Sequence, residues 1–232
     1  MRIKVFENEK TLYGAAAEVC AMSIRKKFQE DEKSPFRLCL GADKVNVEMM
    51  RELTTEDVNW KNVHIYFSWE FLGEQGTSVI SRRKRITYNL TDKLSSFQPE
   101  NLHFSDSEMI GKDYSEKISA VTRDNFDLIF TELLPSGGIC MNVPPCNFDT
   151  RSAYINTKDF LDSDCISVSP YKILSSRRIV ALASGEHMAK TVGMMFENDL
   201  SAMTPSTILK EHPDFVLLLD KAAASKIPAC YF

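Results

Sequence analysis

Two side chains in this 232-residue chain stand where proton transfer could occur. Glu70 directly follows the apolar run VHIYFSW at 63–69, and His187 follows RIVALAS at 178–184. Carboxylates and imidazoles are the common general acids and bases. Imidazole also changes charge close to neutral pH without assistance. His187 reads equally as a polar residue in the first turn of a helix. Cys140, just after Gly137-Gly138, is a third reactive type, but no histidine lies near it in sequence to activate the thiol. The four histidines and six cysteines show no metal-ligand spacing and no CxxC pair, so no metal site is expected and the cysteines read as free thiols. His64, His103 and His212 read as structural.

The elements that must position these groups alternate along the chain. An amphipathic helix is predicted over 10–29, with Leu12, Ala15, Ala16, Val19 and Met22 on its buried side. FRLCL at 36–40 is a short buried strand, and Asn46 caps a following helix through VEMMREL. VHIYFSW is a strand, followed by a polar loop with Gly73 and Gly76 and a helix through the basic run. SEKISAV is a short helix before the strand FDLIFTEL at 126–133. ISVS and RIVALAS are further strands, a helix runs over about 186–197, and Thr204-Pro205 starts another. FVLLLD at 215–220 is the last strand, before a helix beginning at Lys221. Continuous apolar strands alternating with helices predict a doubly wound, mostly parallel α/β sheet covered on both faces. Ligands bind beyond the carboxyl ends of such strands. The positions of interest therefore follow Leu40, Phe67, Leu133, Val168 and Ala183.

Composition bounds the rest. The length suits one domain over 1–232. Hydrophobic residues at 44% and charged residues at 26% exclude disordered and fibrous classes. A net charge of −4 supplies no global attraction for nucleic acid or an anionic membrane. The run Arg82-Arg83-Lys84-Arg85 lacks the aromatic and glycine pattern of a nucleic-acid module, so it is expected on a solvated helix face. No stretch approaches 18 apolar residues and the start has no basic-then-apolar leader, which predicts a cytoplasmic location. Nine glycines are few, against roughly 16 at average usage.

The strand ends, taken together, resemble a known family. Ser167-Val168-Ser169-Pro170, Ser184-Gly185, the segment 205–213 and the DKAA at 220–223 follow one another without an obvious gap. They are similar to the end of the glucosamine-6-phosphate deaminase (isomerase) family, where a TxG-P segment, a strand ending in SG, a P-x-S-x-L-Q-x-H-P helix and D-K-A-A occur in that order. A weaker likeness extends over the whole chain. The resemblance implies the fold shared with ribose-5-phosphate isomerase, 6-phosphogluconolactonase and CoA transferases, as a single sugar-phosphate-isomerase-like domain.

That family's chemistry makes demands on four places. A phosphate-cradling loop of small residues, T/G-G-S/T-T-P, corresponds to Gly41-Ala42-Asp43-Lys44-Val45. A carboxylate there competes with phosphate for the same donors. The proton-abstracting base of D-E-Y/F falls on Trp69, with Glu70 beside it but pointing to the opposite face of an extended backbone. In G-x-G-x-D-G-H the acid falls on Ser136 and the ring-opening histidine on Gly138, while Gly137, Asn142 and Pro144 remain. The phosphate lysine of S-G-x-x-K-A, after Gly185, falls on Met188, and Lys190 lies about 200° further round the helix.

The framework persists while the named chemistry is replaced. The resemblance thus implies a divergent relative linked to amino-sugar phosphate metabolism, degenerate at the active site and acting as a ligand- or partner-binding protein. The alternative is an active sugar-phosphate isomerase, deaminase or lactonase-like hydrolase that recruits Glu70 and His187. Ligand contacts are expected from Gly41, Ala42, Asp43, Lys44, Trp69, Ser136, Gly137, Gly138, Asn142 and Gly185. No cofactor is implied. The expected partner is a small molecule such as a sugar phosphate or derivative, with oligomerisation left open. The missing glycine is also located. Asp43, Glu132, Leu134 and Ser169 stand where the family usually carries it.

Overall fold

In the computed structural model, which describes residues 1–73, 81–104, 111–121 and 125–231, seven strands form one parallel sheet. In chain order they are β1 (Arg2–Phe6), β2 (Phe36–Leu40), β3 (Val63–Phe67), β5 (Leu102–His103), β6 (Leu128–Glu132), β9 (Ile179–Ala183) and β10 (Phe215–Asp220). Their spatial order is β1-β10-β9-β6-β2-β3-β5, with every pairing parallel. The central strands are buried along nearly their whole length, which is why they read as unbroken apolar runs. The chain moves outward from β2 through β3 to β5, then returns to β6 on the other side of β2. Leu40 pairs with both Phe67 and Phe130, so β2 and β3 finish level while β6 runs on past them to Glu132.

A second, antiparallel sheet has the order β4-β8-β7, from β4 (Trp69–Phe71), β7 (Tyr154–Lys158) and β8 (Asp164–Val168). It corrects two expectations. VHIYFSW is not one strand, because the chain leaves the main sheet at Ser68. That residue's N–H donates to Leu40 O (2.9 Å), while its carbonyl accepts from Val168 N (2.8 Å). The ISVS strand belongs to this side sheet. Strand β1 escaped the sequence reading because it lies at the sheet edge with most of its side chains exposed.

Six α-helices are described: α1 (Glu9–Glu30), α2 (Lys44–Leu53), α3 (Arg82–Asn89), α4 (Gly111–Val121), α5 (Pro170–Leu174) and α6 (Ala189–Glu197). Helix α1 packs against α2 and β10 through Leu12, Ala16, Cys20 and Ile24. The expected face is therefore rotated. Ala15 and Val19 are half-buried and Met22 is 56% exposed, because the small Ala and Cys side chains let the backbone approach. Helix α2 is capped by Asp43, not Asn46, whose N–H donates to the Asp43 carboxylate at 2.8 Å. Thr204 makes no side-chain cap, and the segment from Pro205 is a 3-10 helix. A 3-10 turn likewise replaces the last expected helix. Gly76 lies outside the described residues. No described helix is long and apolar enough to cross a membrane.

At the edge of the sheet, His64 Nδ1 and His103 Nε2 share a hydrogen bond at 2.9 Å, and His103 also stacks on Tyr66. One proton fits between the two ring nitrogens. Burial, followed by His64 and Lys117, pushes His103 down to about 4, and burial lowers His64 as well. The unfolded chain therefore binds more protons than the folded one below about pH 6.5. The pair's contribution is fully present above that pH and is lost as pH falls towards 4. Substituting His103→Phe, which keeps the stack, should reduce the acid destabilisation between pH 6.5 and 4 by roughly 1–2 kcal/mol after allowance for solvent screening. Urea unfolding at several pH values measures this, and parallel curves for the two proteins would refute it.

Candidate functional site

The carboxyl ends of β2, β6 and β9 surround a pocket of about 210 Å³. It lies at the point where the winding reverses between β2 and β6, which is where open α/β sheets hold ligands. Asp43, Lys44, Arg82, Glu132 and His187 bring the polar groups, and Leu133, Leu134, Leu182 and Met188 supply apolar wall.

Glu132, the last residue of β6, is 1% exposed. Its Oε1 accepts from the backbone N–H of Ala42 and from that of Asp43 (3.0 Å), at the start of α2. Its Oε2 accepts from the indole Nε1–H of Trp69, and Arg82 Nη2 lies 3.9 Å away. The Arg82 guanidinium in turn stacks on the Trp69 ring, 3.6 Å from its centroid. Trp69, expected as a ligand contact, therefore does not line the pocket. It lies behind Arg82, while Met188 does line the pocket. Gly41 makes room for this arrangement. A Cβ there would stand 2.5 Å from Glu132 Cγ.

Asp43 lies beside this carboxylate and accepts from Asn46 N and from Asn46 Nδ2 (2.7 Å). Removal from water, and then the Glu132 charge, push Asp43 up to about 7, against the pull of its hydrogen bonds and of Arg82. Arg85 Nη1 donates to Ala42 O at 3.1 Å. The basic run is thus not uniformly solvated. Arg82 and Arg85 turn towards the site, whereas Arg83 and Lys84 are exposed. The spacing i, i+3 was the available signal, since residues three apart share a helix face.

Glu70 points the other way from Trp69, as alternation on a strand requires. Its carboxylate accepts from Phe71 N (2.9 Å), Ser81 Oγ (2.8 Å), Arg82 N (3.0 Å) and Arg83 N (2.8 Å). It serves as the N-terminal anion of α3 and does not line the pocket. The two nominated acid–base groups are therefore not brought together.

The remaining nominated residues divide in the same way. Asp43, Lys44 and His187 reach the pocket. Gly41 and Ala42 form the cradle beneath it. Ser136 is exposed on a turn where Gly137 has φ +86°, and Gly138 could not carry a Cβ, which would lie 2.7 Å from Asn142 O. Asn142 Nδ2 ties that turn to Val168 O (2.9 Å) and Ile139 O (3.0 Å). Gly185, at φ +85°, donates to the Asp220 carboxylate (2.9 Å). Lys190 is exposed, as its helical angle predicts. Cys140 is fully buried and its thiol is pushed up by desolvation and the Glu132 charge, which removes it as a nucleophile.

No protein-family model matches the chain. It is 25% identical over 233 residues to the glucosamine-6-phosphate deaminase of Clostridium acetobutylicum, spanning 91% of this chain and 94% of that one. It is 26% identical over 244 residues to the enzyme of the same name from Lacticaseibacillus paracasei, spanning 98% and 99%. The chain is a distant relative of the glucosamine-6-phosphate deaminases. The solved structure of a monomeric glucosamine-6-phosphate deaminase superposes with a TM-score of 0.85 at 20% identity, over 97% of this chain and all of that one. A 6-phosphogluconolactonase from Shewanella baltica superposes at 0.81 and 17% identity, over 95% and 97%. These likenesses confirm the expected fold.

Two carboxylates, Asp43 at the pocket and Glu70 at the start of α3, can be tested separately. Asp43 has a folded-state pKa above its unfolded value, so its contribution is fully present below about pH 4 and is lost as pH rises towards 7. Asn also caps helices, so Asp43→Asn should raise stability above pH 7 by on the order of 1–3 kcal/mol and flatten the profile between pH 4 and 7. An unchanged profile would count against the raised proton affinity of Asp43. Glu70→Ala strips the acceptor from four donors and should cost about 2–4 kcal/mol in denaturant unfolding. A variant of native stability would show that α3 does not rely on this carboxylate.

Proposed function

We propose that this relative of the deaminases acts in amino-sugar phosphate metabolism as a binding protein for a small molecule or partner, without turning it over. The observation that supports this most directly is the use of Glu70 as the N-terminal anion of α3, with both oxygens engaged. Proton transfer at a sugar carbon needs a free base aimed at the substrate. The base position holds Trp69, whose N–H already donates to Glu132, and the positions of the acid and the ring-opening imidazole hold Ser136 and Gly138. His187 stands alone as an exposed imidazole at the pocket.

One observation favours a second reading, an active isomerase, deaminase or lactonase-like hydrolase. Asp43 lines the same pocket as His187 with a proton affinity near neutrality, the range that suits a general base. The notion of Glu70 and His187 as the pair draws no support from their placement.

Turnover and binding assays separate the readings. Wild-type protein should release no ammonia from glucosamine 6-phosphate and hydrolyse no 6-phosphogluconolactone above background. At least one metabolite of a sugar and sugar-phosphate panel should raise its thermal midpoint by several degrees when present at about 100 times its Kd. Turnover in the ordinary enzyme range of about 1–10³ s⁻¹, abolished in Asp43→Asn, would replace the proposal with the second reading.

A further inference from the structure

The start of α2 presents a complete anion site that the chain fills itself. The N–H groups of Ala42 and Asp43 and the indole N–H of Trp69 all end on the Glu132 carboxylate, with the Arg82 guanidinium 3.9 Å from it. Amides at a helix N-terminus, reinforced by a side-chain donor and a cation, are the donor set that elsewhere holds a ligand's phosphate or carboxylate. The seat is fitted to this occupant. Any side chain at Gly41 would collide with Glu132 Cγ and crowd Asn46 Nδ2. The occupant is also distant in sequence, 90 residues from Ala42, so this is not a local cap of the kind Asp43 provides.

We infer that Glu132 is a built-in anion that occupies the cradle in place of a ligand's phosphate and restricts the adjoining pocket to phosphate-free ligands. With the amides taken, the donors left to a ligand are the side chains of Lys44, Arg82 and His187. Arg82 Nε is buried and has no hydrogen-bond partner among the described residues. The apolar wall of Leu133, Leu134 and Leu182 fits a compact organic body, and the free donors suit hydroxyl or carboxylate oxygens. A phosphate dianion brought to the same place would meet the Glu132 charge instead of the amides. The inference holds whether or not the pocket turns a substrate over.

Removal of the internal anion tests it. In calorimetric titration with inorganic phosphate, the wild type should give no binding up to tens of millimolar. Glu132→Gly should bind phosphate at least about tenfold more tightly, a difference of about 1.4 kcal/mol or more. Phosphate should raise the thermal midpoint of the variant and leave that of the wild type unchanged. Formate, which replaces the missing carboxylate alone, should likewise raise the midpoint of Glu132→Ala. Equal phosphate binding by wild type and variant, or folded variants that respond to neither anion, would overturn the inference. Should the variants fold only when phosphate or formate is present, that dependence supports it. The wild type supplies an independent reading through its ¹H–¹⁵N spectrum. The Ala42 and Asp43 amide signals should stay in place as phosphate is added, and their movement overturns the inference irrespective of how the variants fold. The ligand preference is read on the wild type too. A sugar acid should raise its midpoint more than the phosphorylated form of the same sugar, and the reverse order overturns the selectivity.

Discussion

A carboxylate with no access to water must find all its hydrogen-bond donors inside the protein, and Glu132 imposes that condition on the functional end of this molecule. Burying such a charge costs several kcal/mol unless donors and a counter-charge replace its hydration. The replacement draws on the loop after β2, the indole from β4 and the guanidinium from α3. Each contributor is constrained in turn. Gly41 must remain without a Cβ, Trp69 must turn its N–H inward, and Arg82 must lie over the indole ring. The pocket walls are consequently organised around an internal ion pair, and the shape offered to a ligand follows from it.

The same device recurs around the strand ends. Glu70 neutralises the start of α3, Asp43 caps α2, and Asp220 collects Ser184 Oγ, Gly185 N and Ala223 N. Acid groups near helix N-termini are stabilising because partial positive charge accumulates there. They also occupy the donors that a bound anion would use. Asp43 and Glu132 show the limit of the device. Removal from water, and then the neighbouring Glu132 charge, raise the proton affinity of Asp43. The carboxylates at these strand ends thus point inward, onto the protein's own donors.

The main strands could be read from the sequence because each is a short apolar run buried on both faces, and their ends marked the pocket. FVLLLD was read to the residue. Other features were illegible for definite reasons. Apolar runs do not state which sheet they join, so the side sheet containing Trp69 and Ile166 was merged with the main one. A helix rich in alanine offers several faces of similar hydropathy, and which one of α1 is buried depended on how closely its backbone could approach β10 and α2. The basic run concealed Arg82 because charge alone does not reveal which side of a helix meets an aromatic ring.

The apolar runs along the chain, by themselves, determined the fold class and the place of the pocket, and they put Asp43, Trp69 and Glu132 just at or beyond strand ends. Only the tertiary structure decided what those side chains do. Glu132 lies 90 residues from the amides it binds, and no local pattern encodes which buried donors will meet a buried acceptor. That pairing is set by the parallel register that carries β6 past the end of β2, from Phe130 beside Leu40 on to Glu132, and by the requirement that a carboxylate removed from water be fully hydrogen-bonded.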